Sequence, residues 1–350
     1  MSTVRPAILR SARPGIRVRG WMPLVLMALL MLAVGGYAYG KTSSFASQYN
    51  LNSLLLAAMP LAFVALAQAT VLLIGGFDIS VGALMTLCVV VGSFSLKDGL
   101  PWYELVPGVL AMLGVGAAVG LANAALVKVF RLPSIIATLA TLSILQGIAL
   151  RLRPVAGGTI NIEVSDALNS SMSFLPYAFI GLVVLAAAAD WWLFRTTSGL
   201  TLRAVGFDEL SSRRLGAPTS RIHWRAFVVA SLFAAIGSFF LAVLLGTGDA
   251  TPGTGTSYTL QSIAAAVLGG ASLAGGRASF VGAVFGAVFL ALLTNIQSFV
   301  NWQDYVVQIV IGALTLAALA VYQGADLWTQ LRGVWRDLRR RRLAAAPQRA

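Results

Sequence analysis

The sequence predicts an all-α membrane protein of about ten transmembrane helices with both termini cytoplasmic. Three observations carry this. Of the 350 residues, 58% are hydrophobic and only 11% charged; the apolar residues gather into ten long runs; and the basic residues fall between alternate runs. A soluble domain carries roughly 25% charged residues, so this length signifies many spans in one bundle and not two soluble domains.

A helix crosses a bilayer with about 20 mostly apolar residues. The ten runs are 21–39, 51–74, 79–96, 104–127, 132–150, 174–194, 224–245, 258–273, 279–300 and 305–322. Residues 1–20 are a basic N-terminal segment carrying Arg5, Arg10, Arg13, Arg17 and Arg19. Followed by an apolar run, they look like a secretory signal, and Ala38 makes cleavage conceivable. The run is long for a signal and more spans follow, so an uncleaved first span is expected. The eighth run is short and flanked by glycines, which predicts a broken or re-entrant segment. Such backbone is tolerated at membrane depth only where protein or water covers it. Residues 21–323 form the transmembrane domain, with a cytoplasmic loop at 195–225. Residues 324–350 form a basic cytoplasmic tail whose Arg-rich stretch, 336–342, is solvated and faces lipid.

With the N-terminus inside, alternation places 21 of the 25 Lys and Arg residues on the inner side and leaves only Lys41, Lys97, Arg151 and Arg153 outside. That is the positive-inside bias of a multi-pass inner-membrane protein. It also gives the formal charge of +13 a membrane meaning and removes nucleic acid as a partner. The single cysteine, Cys88, lies in an apolar run, and the single histidine, His223, excludes a His-based metal cluster within the chain; no metal site is expected. Gly35-Gly36-Tyr37-Ala38-Tyr39-Gly40-Lys41-Thr42 matches the phosphate-loop pattern, but it follows a membrane span instead of a strand and falls on the outer side. If the protein uses ATP, another chain binds it, and no cofactor is expected here.

Three stretches carry mechanism. In Gly75-Gly76-Phe77-Asp78-Ile79-Ser80-Val81-Gly82, two glycines can break a helix and admit a close backbone. Asp78 and Ser80 are suitable N-caps for the run that follows. A carboxylate amid so much apolar sequence also marks a functional position. The loop at 195–225 reads as containing a short helix, with Asp208 as N-cap and Glu209 in its first turn. Glu209 and Arg213 form an i,i+4 pair, Gly216 takes the left-handed position after the helix, and Pro218 blocks continuation. So short a helix is marginal in water and is expected to dock on a partner. The third stretch, 247–257, is a Gly-rich outer loop, read as a plain turn or a flexible entrance.

The membrane interior offers no chain of Asp, Glu or His to relay protons or hold sodium, which argues against a proton-coupled carrier and for a neutral solute. Gln68, Asn123, Gln146, Asn295 and Gln308 supply neutral polar groups that either contact a polyhydroxylated solute or bond helix to helix. Residues 72–82 and 266–276 share a Gly-Gly pair followed by Ser, a weak sign of internal duplication. A stand-alone secondary transporter or channel is the alternative function; a membrane enzyme lacks any nucleophile–base pair.

The chain resembles the sugar-type permeases of bacterial ATP-binding cassette importers, such as those for ribose, galactose and xylose, over roughly residues 50–323. Residues 75–82 are similar to the family's G-G-I-D-L-S-V-G. Leu132-Pro133-Ser134-Ile135-Ile136-Ala137-Thr138-Leu139 resembles its P-x-F-I-x-T-L-G, with Ser134 and Ile135 departing from it. Residues 204–216 resemble A-x-G-x-N-x-x-A-A-R-x-x-G, with Asp208 for the asparagine and Ser211 and Ser212 for the alanines. Residues 263–272 resemble I-A-A-x-x-x-G-G-x-S. The resemblance implies a second permease copy, identical or different, cytosolic ATP-binding subunits and a periplasmic solute-binding protein. It assigns coupling to the ATPase to Gly206, Asp208, Glu209, Arg213 and Gly216. The translocation pathway is expected at Gly75, Gly76, Asp78, Ser80, Gln68, Asn123 and Asn295.

Overall fold

The structure, a computed structural model, describes residues 22–250, 252–300, 302–317 and 320. The basic segment 1–20 and the tail 324–350 lie outside the described residues. The chain folds as α1 (Met22–Lys41), α2 (Gln48–Leu73), α3 (Val81–Ser95), α4 (Trp102–Lys128), α5 (Ser134–Leu152), β1 (Gly157–Thr159), α6 (Ile162–Asn169), β2 (Ser171–Met172), β3 (Leu175–Pro176), α7 (Tyr177–Arg195), α8 (Thr197–Phe207), α9 (Glu209–Arg214), α10 (Thr219–Leu245), β4 (Thr247–Gly248), α11 (Pro252–Leu268), α12 (Phe280–Val300) and α13 (Asp304–Ala317).

Every predicted apolar run contains a helix, though some of the runs extend past its ends, as at 175–176, which are strand, and at 269–273, which are turn and loop. Seven helices are long and apolar enough to cross a membrane: α1, α2, α4, α5, α7, α10 and α12. The apolar parts of the other three are shorter, at Val81–Ser95, Ser257–Leu268 and Asp304–Ala317. The eighth run is cut short as expected, because α11 stops at Leu268 and Gly270 turns left-handed with φ 94°.

Helices approach closely where side chains are small. On α4, a Cβ built at Gly116 would lie 2.8 Å from Ala235 Cβ, and one at Gly120 would lie 2.7 Å from Val228 Cα. This Gly-x-x-x-Gly face receives α10 backbone to backbone. The same device joins α11 to α12, where Gly282 meets Gly269 and Gly286 meets Ala265. On α10, Gly237 seats against Pro60 and Phe63 of α2.

Packing arranges α2, α10, α3 and α11 around a common axis. α10 lies along α2, α3 and α4, while α11 lies along α2, α3 and α12. Twelve of the fifteen residues of α3 are buried, so protein covers nearly all of it. At 1.5 Å per residue α3 spans about 22 Å, short of a hydrocarbon core of about 30 Å. Protein cover removes the penalty that lipid would impose on the irregular backbone before it.

One end of the bundle carries short strands. β1 pairs antiparallel with β4, with Gly157 opposite Gly248, and β2 pairs with β3. The outer loop expected at 247–257 is therefore no plain turn: its start is a strand and its end opens α11. The opposite end carries α8 and α9 and is basic. Residues 35–41 of the stretch that mimics a phosphate loop lie inside α1 and are preceded by helix among the described residues.

Candidate functional site

The segment 74–80, between α2 and α3, is built from the Gly-Gly stretch. Gly75 adopts φ 73°, which glycine reaches without penalty. Gly75 N–H donates to Leu72 O at 2.9 Å and Gly76 N–H to Val71 O at 3.1 Å, a complete Schellman end for α2. The chain then re-enters the bundle as non-helical backbone, and hydroxyls of neighbouring helices take up its N–H groups. Ser134 Oγ accepts from Phe77 N at 3.1 Å, Thr138 Oγ1 from Ile79 N at 3.1 Å, and Thr259 Oγ1 from Gly82 N at 3.1 Å.

Asp78 sits at the centre of this segment, fully buried. A directed chain of hydrogen bonds ends on it. Thr141 Oγ1 donates to Asn123 Oδ1 at 2.7 Å, Asn123 Nδ2 to Ser80 Oγ at 2.9 Å, and Ser80 Oγ to Asp78 Oδ1 at 2.6 Å. Ser80 N–H donates to the same oxygen at 2.9 Å. The expectation that these residues simply cap α3 is corrected: Ser80 occupies the N-cap position but makes no capping bond, because its hydroxyl is committed to Asp78. Asp78 Oδ2 is buried and has no hydrogen-bond partner among the described residues. An acceptor buried without a donor costs about 1–3 kcal/mol, more for a charge.

The structure thus brings Gly75, Gly76, Asp78, Ser80 and Asn123 together. Gln68 lies on α2, fully buried, with neither Oε1 nor Nε2 partnered among the described residues. Asn295 does not join them. It exchanges two hydrogen bonds with Asn50, at 2.9 and 3.2 Å, where α12 crosses α2 at the strand end. Its side chain bonds helix to helix there, one of the two uses expected of such an amide. Ser134, Thr138, Thr141 and Thr259 were missed as bracing residues. Ser134, Thr138 and Thr141 share one face of α5 at i, i+4, i+7, a pattern the sequence displays.

At the basic end, α8 and α9 form the second candidate site. Asp208 caps α9 as expected: its Oδ1 accepts from Ser211 N at 2.9 Å and its Oδ2 from Ser211 Oγ at 2.6 Å. These bonds hold the Asp208 carboxyl below the ordinary carboxylate range. Two of the three departures from the family pattern in this loop, Asp208 and Ser211, are therefore partners of one another. Gly216, at φ 86°, and Ala217 N–H, donating to Ser212 O at 3.0 Å, close α9 with a Schellman motif.

Glu209 does not pair with Arg213. Its carboxylate accepts from Lys128 Nζ of α4 at 2.7 Å and faces His223 Nε2 at 3.6 Å. An exposed i,i+4 pair yields only a few tenths of a kcal/mol, so a partner from another helix displaces it readily. Partial burial pushes the Glu209 carboxyl up, but Lys128 outweighs it and the carboxyl sits below its ordinary value. Arg213 is exposed beside three apolar side chains that the sequence reading passed over: Phe207, Leu210 and Leu215, at 81%, 60% and 89% exposure.

Residues 50–319 match the family described as the branched-chain amino acid transport system permease component. The chain is 31% identical over 297 residues to the autoinducer 2 import system permease protein of Enterobacter sp. (strain 638), covering 82% of this chain and 84% of that one. It is 29% identical over 314 residues to the fructose import permease protein of Rhizobium meliloti, covering 86% and 84%. It is 31% identical over 328 residues to the autoinducer 2 permease of Salmonella paratyphi B, covering 91% and 89%. No solved structure matches. The chain belongs to this family of permeases, the multi-pass inner-membrane subunits of ATP-binding cassette importers.

Proposed function

We propose that this subunit imports a small neutral sugar-like solute through about ten membrane segments, both termini cytoplasmic, and that α8 and α9 receive the stroke of a separate ATP-binding subunit. The observation that carries the proposal is the exposed trio Phe207, Leu210 and Leu215, which end α8, lie on α9 and follow α9, a short helix capped at both ends. Large apolar side chains clustered in this way on an aqueous surface mark an interface. The charge bias supports placing that surface in the cytoplasm, where ATP is.

A solute-binding protein delivers the solute to the strand end, and a second permease copy, identical or different, completes the pathway. The chain needs no cofactor, since ATP stays on the partner. Asp78 Oδ2 and the Gln68 amide are the open polar atoms of the pathway, supported by their burial without partners. A hydroxyl-rich neutral solute supplies the donors that Oδ2 lacks. The relatives that carry autoinducer 2 and fructose support this solute class.

The test is the pair Leu210→Asp and Leu215→Asp, purified with the ATP-binding subunit. Insertion of the permease is expected to persist while the ATP-binding subunit no longer co-purifies; normal co-purification would falsify the docking site. A stand-alone carrier or channel predicts instead that the permease alone accumulates solute in vesicles without any ATPase.

A further inference from the structure

We infer that Gly75, Gly206, Gly275 and Gly276 form a rigid joint that gears α8 and α9 to both ends of the Asp78 segment, with Gly206 as the positioning residue. The inference rests on the proposed docking of an ATPase at α9 and extends it to the path the stroke takes.

Three stretches far apart in sequence meet here with no side chain between them. Gly206, buried at the end of α8, is wedged against the last turn of α2: a Cβ built on it would lie 1.6 Å from Leu73 O and 2.8 Å from Gly276 N. A Cβ at Gly275 would lie 2.3 Å from Gly206 O and 2.9 Å from Gly75 Cα. Gly276 N–H donates to Leu73 O at 3.0 Å, tying the turn between α11 and α12 to α2. Gly75, Gly275 and Gly276 all have positive φ, at 73°, 89° and 74°, so the backbone conformation calls for glycine at all three, and the close approach adds to it at Gly275 and Gly276.

Side chains in a packed interface can change rotamer and absorb a displacement. Backbone in contact with backbone cannot, so a shift of α8 must carry its neighbours with it. Two routes lead on from the joint to Asp78. One runs directly from Gly75 along three residues of irregular chain. The other runs through the turn at 275–276 into α11, where Thr259 Oγ1 accepts from Gly82 N at 3.1 Å and donates to Ile79 O at 3.3 Å. The segment holding Asp78 is thus gripped on both sides by elements fixed to Gly206. Leu202, one turn earlier on α8, packs against both halves of the bundle core and keeps the helix from pivoting alone.

The experiment uses the complete importer in proteoliposomes, with co-purification of the ATP-binding subunit recorded separately. Failure of the wild-type complex to assemble counts against the docking reading, not the joint. In assembled complexes, Gly206→Ala is expected to lower solute imported per ATP hydrolysed by about tenfold or more, a ratio that mere loss of protein does not alter. Thr259→Val supplies the second arm. It removes the hydroxyl that holds Gly82 N and Ile79 O and so cuts the route through α11 without touching the joint or the docking surface. Import per ATP hydrolysed is expected to fall by about fivefold or more while the ATP-binding subunit still co-purifies. A wild-type import ratio in either variant overturns the inference. If Gly206→Ala does not assemble, Thr259→Val decides.

Discussion

Replacing Asp78 by asparagine separates a solute contact from a local brace. In the structure Oδ1 takes both hydrogen bonds from Ser80, at 2.9 Å from its N–H and 2.6 Å from its hydroxyl, while Oδ2 has no partner among the described residues. An asparagine placed with its carbonyl at Oδ1 keeps both bonds and loses only the charge and the open acceptor. The fold is therefore expected to survive, with an apparent melting point within a few degrees of wild type. If a solute hydroxyl donates to Oδ2, the variant loses one hydrogen bond to a charged group, about 1.5–3 kcal/mol. At about 1.4 kcal/mol per factor of ten, that is a fall of roughly 10- to 150-fold in uptake at subsaturating solute. The assay is ATP-driven uptake by reconstituted complexes with equal amounts of assembled permease. Asp78→Leu is the contrast: it strands the Ser80 N–H and hydroxyl in a buried site, so assembly itself should drop. Uptake by Asp78→Asn within about twofold of wild type refutes the pathway role and leaves Asp78 as a brace for its own loop.

Asp190 on α7 accepts from Ser279 Oγ at 2.7 Å and from Phe280 N and Val281 N at 2.7 and 3.0 Å, capping α12 from another helix. Asp190→Ala should cost about 2–4 kcal/mol and lower the apparent melting point by roughly 5–10 °C; a shift under about 1 °C contradicts that role. Asn295→Leu should cost about 1 kcal/mol of stability by breaking the pair with Asn50 and leave solute affinity unchanged; weakened affinity returns Asn295 to the pathway. Lys128→Met removes the 2.7 Å ion pair of Glu209, whose side chain is 45% exposed, so stability should hold while amide exchange across α9 quickens; unaltered exchange places the anchoring of α9 elsewhere. The depressed Asp208 pKa means its cap strengthens α9 above the ordinary value of 3.8 and is lost as pH falls through the lower folded-state value. Protection of Ser211 N–H should therefore persist at pH 4 and fade only below it.

The membrane helices were legible because each needs only a run of apolar residues, a local property. The same holds for α9, whose two ends are set by Asp208 and Gly216 within a few residues of the helix itself. Pairings across the bundle were not legible. Glu209 lies 81 residues from Lys128, and Asn50 lies 245 from Asn295, so sequence spacing offered Arg213 and the solute pathway in their place. A neutral amide on a span reads the same whether it meets a solute or another helix; only the bundle shows that Asn295 bonds to Asn50 and Asn123 to Ser80 and Thr141. The glycines at 75, 206, 275 and 276 stood out in the sequence one stretch at a time, while their convergence is a property of the fold.

The enclosure of α3 has a consequence for how the protein is made. A segment of fifteen residues leaving the ribosome ahead of its neighbours has no lipid-facing surface suited to it and too little length to settle across the bilayer unaided. Its final seat does not exist until α10 and α11 have been synthesised, since they form two of its walls. Biogenesis therefore includes a late step in which α3 is drawn from a provisional position into the assembled bundle. Chains that stop before Leu268 should be left with this helix exposed to quality-control proteases.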